Sequence, residues 1–412
     1  MKSDDFRSGN SGAAEMKRKE KILMIPGPTE LSSEVLNTMS RPLLAHYMDD
    51  WLPIYRETVD LTKKVLRTKN DTFIITGSGS AGMEAACASI IEPGDKIITD
   101  VTGPDVFEPI VSAQGAHIVP LEVAPGTAID PDNIRRLIKK ESNVKAVAIF
   151  HNVTSTGVTN PVEEIGKITA ENNVLLLVDA ISSAGGIPLE VDKWHIDTCC
   201  VATQKVFSVP PGLALVAVSK RAWSAIKARK VPIHSEYLNL ERYKEAASEP
   251  QASWHPTPDT CNTLHVRALL QSLRDLVEEG VENAWDRHAK IAESTRQGLK
   301  SMGLELLVKN PSHASNTVTA ALWPQGCNYE KFWRAMFDEY NIMLGNPPIK
   351  GHFPGWFRIG HMGTTANIEY ILPTLAYIEM ALRKAGHPID PGRGVATAQK
   401  VLFDWQISSR PR

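Results

Sequence analysis

No apolar run in the chain approaches the roughly 20 residues that a helix needs to cross a bilayer. Neither sign of charge dominates: 45 Lys and Arg stand against 47 Asp and Glu, a formal net charge of −2. Such a balance gives no long-range attraction for nucleic acid or an anionic membrane, and no basic run is interleaved with aromatics. Partners are therefore expected among small molecules and other protein subunits. Cysteine is scarce. The five cysteines (Cys87, Cys199, Cys200, Cys261 and Cys327) show no paired metal-ligand spacing, and their odd number leaves a disulfide framework incomplete. No metal is expected, and a reducing compartment, the cytoplasm, fits this usage. A Walker loop and a full GxGxxG are also missing, which weighs against a nucleotide-dependent enzyme. The first twenty residues, MKSDDFRSGNSGAAEMKRKE, lack the apolar core of a secretory signal and read as a disordered leader, 1–20.

What is present is a chain of 412 residues, 42% hydrophobic, long enough for two or three domains. From about residue 70 to 220, short β-rich runs alternate with helical segments. The runs are DTFIIT (71–76), DKIITD (95–100), AHIVPLEV (116–123), VKAVAIF (144–150), VLLLVDA (174–180), DTCCVAT (197–203) and GLALVAVS (212–219). Continuous apolar strands separated by stretches such as PDNIRRLIKKE and PVEEIGKITAEN predict an α/β fold with a mostly parallel sheet covered on both faces. The more polar stretch 221–260, with its proline-rich SWHPTPDT, reads as a connection out of the sheet. One long helix is expected through TLHVRALLQSLRDLVEEG and VENAWDRHAKIAESTRQGLKSMG. A smaller α/β unit follows over about 300–390, with strands near LELLV and TVTAALW and helices near YEKFWRAMFDEY and IEYILPTLAYIEMALRKAG.

Three stretches carry chemistry. FIIT runs into GSGSAGMEAA, where Ser78, Gly79 and Ser80 stand at a strand-to-helix turn. Free amides at a helix start and two hydroxyls can cradle a phosphate, although a Gly/Ser turn is also an ordinary connector. In VLLLVDAISSAGG, Asp179 closes an apolar strand, where open α/β sheets bind ligands; alone it could equally be a cap. In ATQKVFSVPPG, Lys205 follows an apolar run directly, a costly place for an amine unless it is paired, solvated or used. A pyridine cofactor needs an amine for its aldehyde, an acid against its ring nitrogen and a phosphate cradle, and the three stretches supply these in order.

These stretches resemble the fold-type I, class V pyridoxal-phosphate aminotransferases, in the branch of alanine–glyoxylate, serine–glyoxylate and pyridoxamine–pyruvate aminotransferases. The resemblance covers about 22–390, through ILMIPGPTELSSEVL, GSGSAGMEAA, EPGDK, HNVTSTGVTNPVEEIG, LLLVDAISSAGG, TQKVFSVPPGLALVAVS, EGVENAWDRHA and RIGHMG. It implies a large cofactor domain with a seven-stranded sheet (46–285), a small C-terminal domain (286–412) and an N-terminal segment lining the site (21–45). It also implies a homodimer with its active sites at the interface. Pyridoxal 5'-phosphate would be held by Lys205 as a Schiff base, with Asp179 against the pyridine nitrogen, Ile181 on a ring face and Thr154 near the hydroxyl. Ser78, Gly79, Ser80 and Gln204 would surround the phosphate. Arg358 in RIGHMG would grip the substrate carboxylate, which suits a guanidinium fork; Gly27 in PGPT and Tyr47 in AHYMDDW would border the substrate.

Two departures bear on substrate. Where relatives stack an aromatic residue on the cofactor ring, VTGPDVFEP places Asp105, with Phe107 two residues on; either Phe107 takes the stacking role through a shifted turn or the ring is held differently. Where relatives send a tyrosine to the neighbouring phosphate, TPDTCNTLHVR has Leu264, leaving Thr260, Asn262 and Thr263 as candidates. His46 and His361 invite substrate or acid/base roles, yet the lysine is the natural proton shuttle. The expected activity is transfer of an amino group from a small amino acid of the alanine or serine type to glyoxylate or pyruvate. The alternatives are a pyridoxamine–pyruvate aminotransferase and a lyase of the cysteine desulfurase kind using Cys327. A dehydrogenase or a silent binding protein is weakened by the missing GxGxxG and by the intact Asp179 and Lys205.

Overall fold

The protein is described here by a computed structural model covering residues 20–47, 49–102, 105, 107–248, 251–346 and 355–408. The expected leader therefore lies outside the described residues except for Glu20. In chain order the first strands are β1 (Ile22–Met24), β2 (Asp71–Thr76), β3 (Lys96–Asp100), β4 (His117–Leu121), β5 (Val144–Phe150), β6 (Asn152–Val153) and β7 (Val158–Thr159). Then come β8 (Leu175–Asp179), β9 (Thr198–Ala202), β10 (Leu213–Val218), β11 (Val318–Leu322), β12 (Ile342–Leu344) and β13 (Trp356–Gly360).

Seven strands form one sheet in the order β2-β10-β9-β8-β5-β3-β4, and they are the seven β-rich runs of the sequence. β10 runs antiparallel to both of its neighbours; the other pairs are parallel. Successive side chains of a strand point to opposite faces, and here both faces are buried. Ile74, Val147, Ile149, Leu176, Val178, Val201 and Leu215 feed one core, while Phe73, Ile75, Ala146, Ala148, Leu177, Cys200 and Val216 feed the other. That double burial is why the strands read as continuous apolar runs rather than alternating ones.

A third core joins Met24 of β1 to Phe332, Phe357, Ile359, Ile371, Leu375 and Ile378. β1 pairs in parallel with β12, and β11 pairs antiparallel with β13. The chain start is thereby pinned beside the C-terminal elements, so that residues 25–29 pass across the ends of the large sheet. The C-terminal helix Arg393–Ser408 is anchored in turn by buried Glu379, whose carboxylate accepts from the Gly392, Gly394 and Val395 amides.

The expected long helix is two, Thr263–Glu279 and Val281–Ser301, divided at Gly280 with φ +91°. The apolar period continues through both, so only the glycine marks the break. The stretch 221–260 is more than a connection, since helices Lys220–Lys227 and Leu240–Ala246 lie in and beside it. LELLV makes no strand, only a bridge from Leu306 to Ala321. Among the described residues no helix is long and apolar enough to cross a membrane.

Candidate active site

β8 is buried along its whole length and is the middle strand of the seven, so Asp179 at its C-terminal end emerges at the centre of the sheet edge. The chain turns at once, and the Ile181 N–H donates to Asp179 Oδ1 at 2.7 Å. Burial pushes the Asp179 carboxyl up to about 7; the Ile181 hydrogen bond and the charge of Lys205 pull the other way. On the adjacent strand β9, Ala202 leads into a turn closed by Ser208 N–H to the Lys205 carbonyl at 2.9 Å and Val209 N–H to the Thr203 carbonyl at 3.1 Å. Lys205 therefore projects from a rigid corner.

Its amine is neither buried alone nor simply solvated. Nζ donates to the Pro26 carbonyl, and Thr29 ties the same corner through its N–H to the Gln204 carbonyl (3.3 Å) and its hydroxyl to the Lys205 carbonyl (2.9 Å). Gly27 lies flush against the side chain: a Cβ there would stand 2.6 Å from Lys205 Cδ and 2.8 Å from Nζ, and φ is +103°. Desolvation pulls the ammonium down to about 8, Asp179 opposing and the Arg358 charge adding to the fall.

The Gly/Ser turn meets the same place. Ser78 is the N-cap of the helix Gly79–Ile90, but its side chain makes no capping bond, and Ser78 and Ser80 are exposed while Gly79 is buried. A Cβ on Gly79 would fall 2.4 Å from Ile181 Cδ1 and 3.0 Å from the Ala202 Cβ. The helix start is thus in contact with the residues that follow Asp179 and precede Lys205. Gln204 Oε1 is buried there without a hydrogen-bond partner.

The other side of the site comes from the hairpin β6–β7 and from β13. Thr154 Oγ1 donates to Ser182 Oγ at 3.0 Å, and Arg358 Nη1 donates to the Thr154 carbonyl at 2.7 Å. Arg358 Nε is buried without a partner, and among the described residues the guanidinium makes no ion pair. Burial pulls it down from its ordinary value, Asp105 opposing. Asp105 Oδ2 accepts from the Ser155 N–H at 2.7 Å, and its charge bears on Asp179, Lys205 and Arg358 alike.

Residues 29–352 match the family described as aminotransferase class-V. The chain belongs to that family. With an uncharacterized aminotransferase of Methanocaldococcus jannaschii it is 40% identical, over 93% of this chain and 98% of the relative. The crystal structure of ureidoglycine–glyoxylate aminotransferase from Bacillus subtilis superposes with a TM-score of 0.87 at 32% identity, covering 94% of this chain and 100% of that one. Pyridoxamine–pyruvate aminotransferase from Mesorhizobium loti gives a TM-score of 0.87 at 29% identity, covering 94% and 98%. This chain is a class V aminotransferase of fold-type I, similar to the alanine– or serine–glyoxylate and pyridoxamine–pyruvate enzymes, and the family is pyridoxal-phosphate-dependent.

Asp179, Ile181, Lys205, Gln204, Gly27, Thr154, Arg358 and the 78–80 turn are linked by the contacts above. Phe107 is a correction: it is 2% exposed, packed against Phe150 at 5.2 Å between ring centroids, and leaves no open ring face for a ligand. Its neighbours 103, 104 and 106 lie outside the described residues. Tyr47 stacks on Trp254 at 5.7 Å beside His46 and His255, an aromatic group at the surface of this aminotransferase. Thr260 is exposed and Thr263 is buried in the first turn of its helix; the Asn262 N–H donates to Thr76 Oγ1 at 3.1 Å, bringing their loop to the end of β2. Asp105 as a hydrogen-bonded partner of Ser155, the Pro26 carbonyl and Gly345 were not anticipated. The first had a signal, a carboxylate where an aromatic was expected; a backbone carbonyl has none.

Proposed function

We propose that this aminotransferase moves the amino group of a small amino acid, of the alanine or serine type, to a 2-oxo acid such as glyoxylate or pyruvate, with pyridoxal 5'-phosphate at Lys205. The observation that carries the proposal is the convergence of Asp179, Lys205 and the 78–80 helix start at the ends of β8, β9 and β2. The residues fit the cofactor. A Ser78 side chain that makes no capping bond, the Gly79 and Ser80 amides at the helix start and the unpartnered Gln204 Oε1 suit the phosphate end, while the Ala81 N–H is already taken by the Ser78 carbonyl; buried Asp179 suits a protonated ring nitrogen, and Ile181 supplies an apolar face. Bound pyridoxal phosphate would supply the aldehyde that receives the amino group and a ring that withdraws electrons from the reacting carbon.

The chain's own residues do the rest. Lys205 holds the cofactor between turnovers, and, once displaced by the donor, its amine is poised near neutrality to take a proton from the substrate Cα and return it across the transferring nitrogen. The Pro26 carbonyl and Gly27 confine that amine to one direction. Asp179 stays ionised against the positive ring nitrogen that its burial would otherwise disfavour. Arg358 takes the substrate carboxylate through the edge that the protein leaves free. Active sites at a homodimer interface are part of the same proposal, with Tyr47, Thr260 and Thr263 on the segments that would face the second subunit.

A second possibility has a specific support, the likeness to pyridoxamine–pyruvate aminotransferase; the small hydroxyl-bearing turn at 78–80 favours a phosphorylated cofactor instead. Cysteine desulfurase chemistry is not favoured: burial pushes the Cys327 thiol up, and alkylating it is expected to leave the activity intact. The deciding measurement is the visible spectrum of the purified protein before and after alanine, serine, aspartate and pyridoxamine. A yellow protein bleached by one amino acid and restored by glyoxylate or pyruvate is the expected result and names the donor. Colour only with pyridoxamine and pyruvate would favour the vitamin-substrate enzyme, and no chromophore even with added pyridoxal phosphate would sink the Lys205 assignment.

A further inference from the structure

The peptide unit joining Thr154 to Ser155 is held at both ends by charged side chains from remote parts of the chain. Its N–H donates to Asp105 Oδ2 at 2.7 Å, and its carbonyl accepts from Arg358 Nη1 at 2.7 Å. The peptide is trans, so the two groups point in opposite directions and the carboxylate and guanidinium stand on either side of one amide. The turn around it is already closed from within, because the Thr156 and Gly157 amides both return to the Val153 carbonyl, at 3.3 and 2.9 Å. The Ser155 carbonyl accepts from Trp356 Nε1 at 3.0 Å. Trp356 and Arg358 are two residues apart on β13 and share one face of the strand, so that face clamps the turn at two successive carbonyls.

Arg358 is fixed on its other side as well. Gly345 and Arg358 exchange backbone hydrogen bonds at 2.9 and 3.1 Å, and a Cβ on Gly345 would lie 3.2 Å from Arg358 Nε and 3.0 Å from its Cβ. Space beside Nε exists because residue 345 has no side chain. With Nη1 committed to Thr154 and Nε buried without a partner, the Nε and Nη2 edge is the one left for a bidentate carboxylate.

We propose that Asp105 is a positioning residue for Arg358: by fixing the Thr154–Ser155 amide it points the Thr154 carbonyl at Nη1 and aims the free edge of the guanidinium at the substrate carboxylate. A carboxylate on the N–H end also polarises the carbonyl at the other, strengthening its hold on the cation. Asp105 thus does different work from the ring-stacking aromatic expected at its position. The inference rests on Arg358 being the carboxylate grip, and the test separates the two.

The pyridoxal-phosphate-loaded enzyme is compared as wild type, D105A, D105N, R358A and D105A/R358A. KM and kcat are measured for pyruvate and the amino donor, and the Kd of acetate, a carboxylate that cannot react, is read from the absorption spectrum. D105A is expected to raise both KM values and the acetate Kd by about tenfold while kcat changes by less than about threefold. D105N retains an oxygen for the Ser155 N–H and is expected to rescue most of that loss. In the R358A background, D105A is expected to add nothing further, because its effect passes through the arginine. Effects of D105A and R358A that multiply, or a D105A effect on kcat alone, overturn the proposal while leaving Arg358 as the grip. R358A without effect on KM or on acetate overturns the Arg358 assignment and the proposal with it. Should D105A fail to fold, D105N replaces it: a KM rise of about threefold that vanishes beside R358A supports the proposal, and one that persists overturns it.

Discussion

The two halves of the site are built in opposite ways. Asp179 and Lys205 sit at the ends of neighbouring strands of one sheet, each delivered by a run of buried residues and a tight turn. Arg358 and Asp105 come from separate stretches, and among the described residues a peptide of the β6–β7 hairpin is hydrogen-bonded to both. In the first half burial works against charge, lifting Asp179 to about 7 and lowering Lys205 to about 8. In the second, charges are held by hydrogen bonds to backbone dipoles. The first arrangement suits groups that must gain and lose protons, the second groups that must stay charged and only orient a substrate.

The sharpest break in this comparison is Lys205→Ala, which would remove both the proposed anchor and the proposed proton carrier; kcat is expected to fall by about 10⁴-fold while the Kd for acetate at Arg358 barely moves. Asp179→Asn comes next, with kcat lower by about 10²-fold or more. It also removes a pH dependence of the cofactor-free protein. A carboxyl at about 7 when folded and near 4 when unfolded keeps a proton in the native state that the unfolded chain has lost, so stability declines as pH rises from about 4 to 7. Buried histidines push stability the other way in both proteins, so the difference is what is read: the wild-type urea midpoint should fall relative to that of the variant as pH rises from 4.5 to 8, and parallel profiles would mean that Asp179 is already ionised.

A gentler pair uses glycines, one in each half. Gly27→Ala places a methyl within 2.9 Å of three Lys205 side-chain atoms and adds positive-φ strain, so kcat should drop by about 10²-fold. Gly345→Ala lacks that strain, but its methyl would stand 2.9 Å from Pro26 Cδ and 3.0 and 3.2 Å from Arg358 Cβ and Nε, so the expected loss is about tenfold in KM for both substrates with a smaller fall in kcat through Pro26. The reverse split would mean that the two halves are not separable in this way.

The same contrast governs what could be read beforehand. The seven strands were legible because a strand buried on both faces is a continuous apolar word, and Asp179, Lys205 and the 78–80 turn stood out as candidates because they follow at such a word's end. Arg358 was legible through the motif RIGHMG alone. The amide between Thr154 and Ser155 could not be foreseen, since it is backbone whose role is conferred by two distant side chains. Phe107 was misassigned for a related reason: an aromatic near a site has an equal claim on the core, and here Phe150 and the sheet take it. Gly280 shows the limit of periodicity, which ran on through a break between two helices that one residue imposes.

The smallest effect on catalysis is expected three residues beyond Arg358, at His361. The ring is fully buried, with Nε2 2.8 Å from the Thr319 hydroxyl and Nδ1 3.2 Å from the Asn316 carbonyl, so in its neutral form Nδ1–H donates to the carbonyl and Nε2 accepts from the hydroxyl. Burial, aided by Arg296, lowers its value to about 3. An imidazole so placed stays neutral at working pH, with its one N–H committed to the Asn316 carbonyl and no second proton to give; its charge change belongs to stability. Unfolding restores a value near 6.5, so the unfolded chain binds the proton first and stability is lost as pH falls below about 6.5. His361→Gln is therefore expected to leave the pH profile of kcat unchanged and to reduce the fall in melting temperature between pH 7.5 and pH 5, with part of that fall remaining because buried His151 and His288 are lowered in the same direction. A shifted pH–rate profile would instead bring His361 into the chemistry beside Arg358 and erase the boundary between a half that exchanges protons and a half that holds charge.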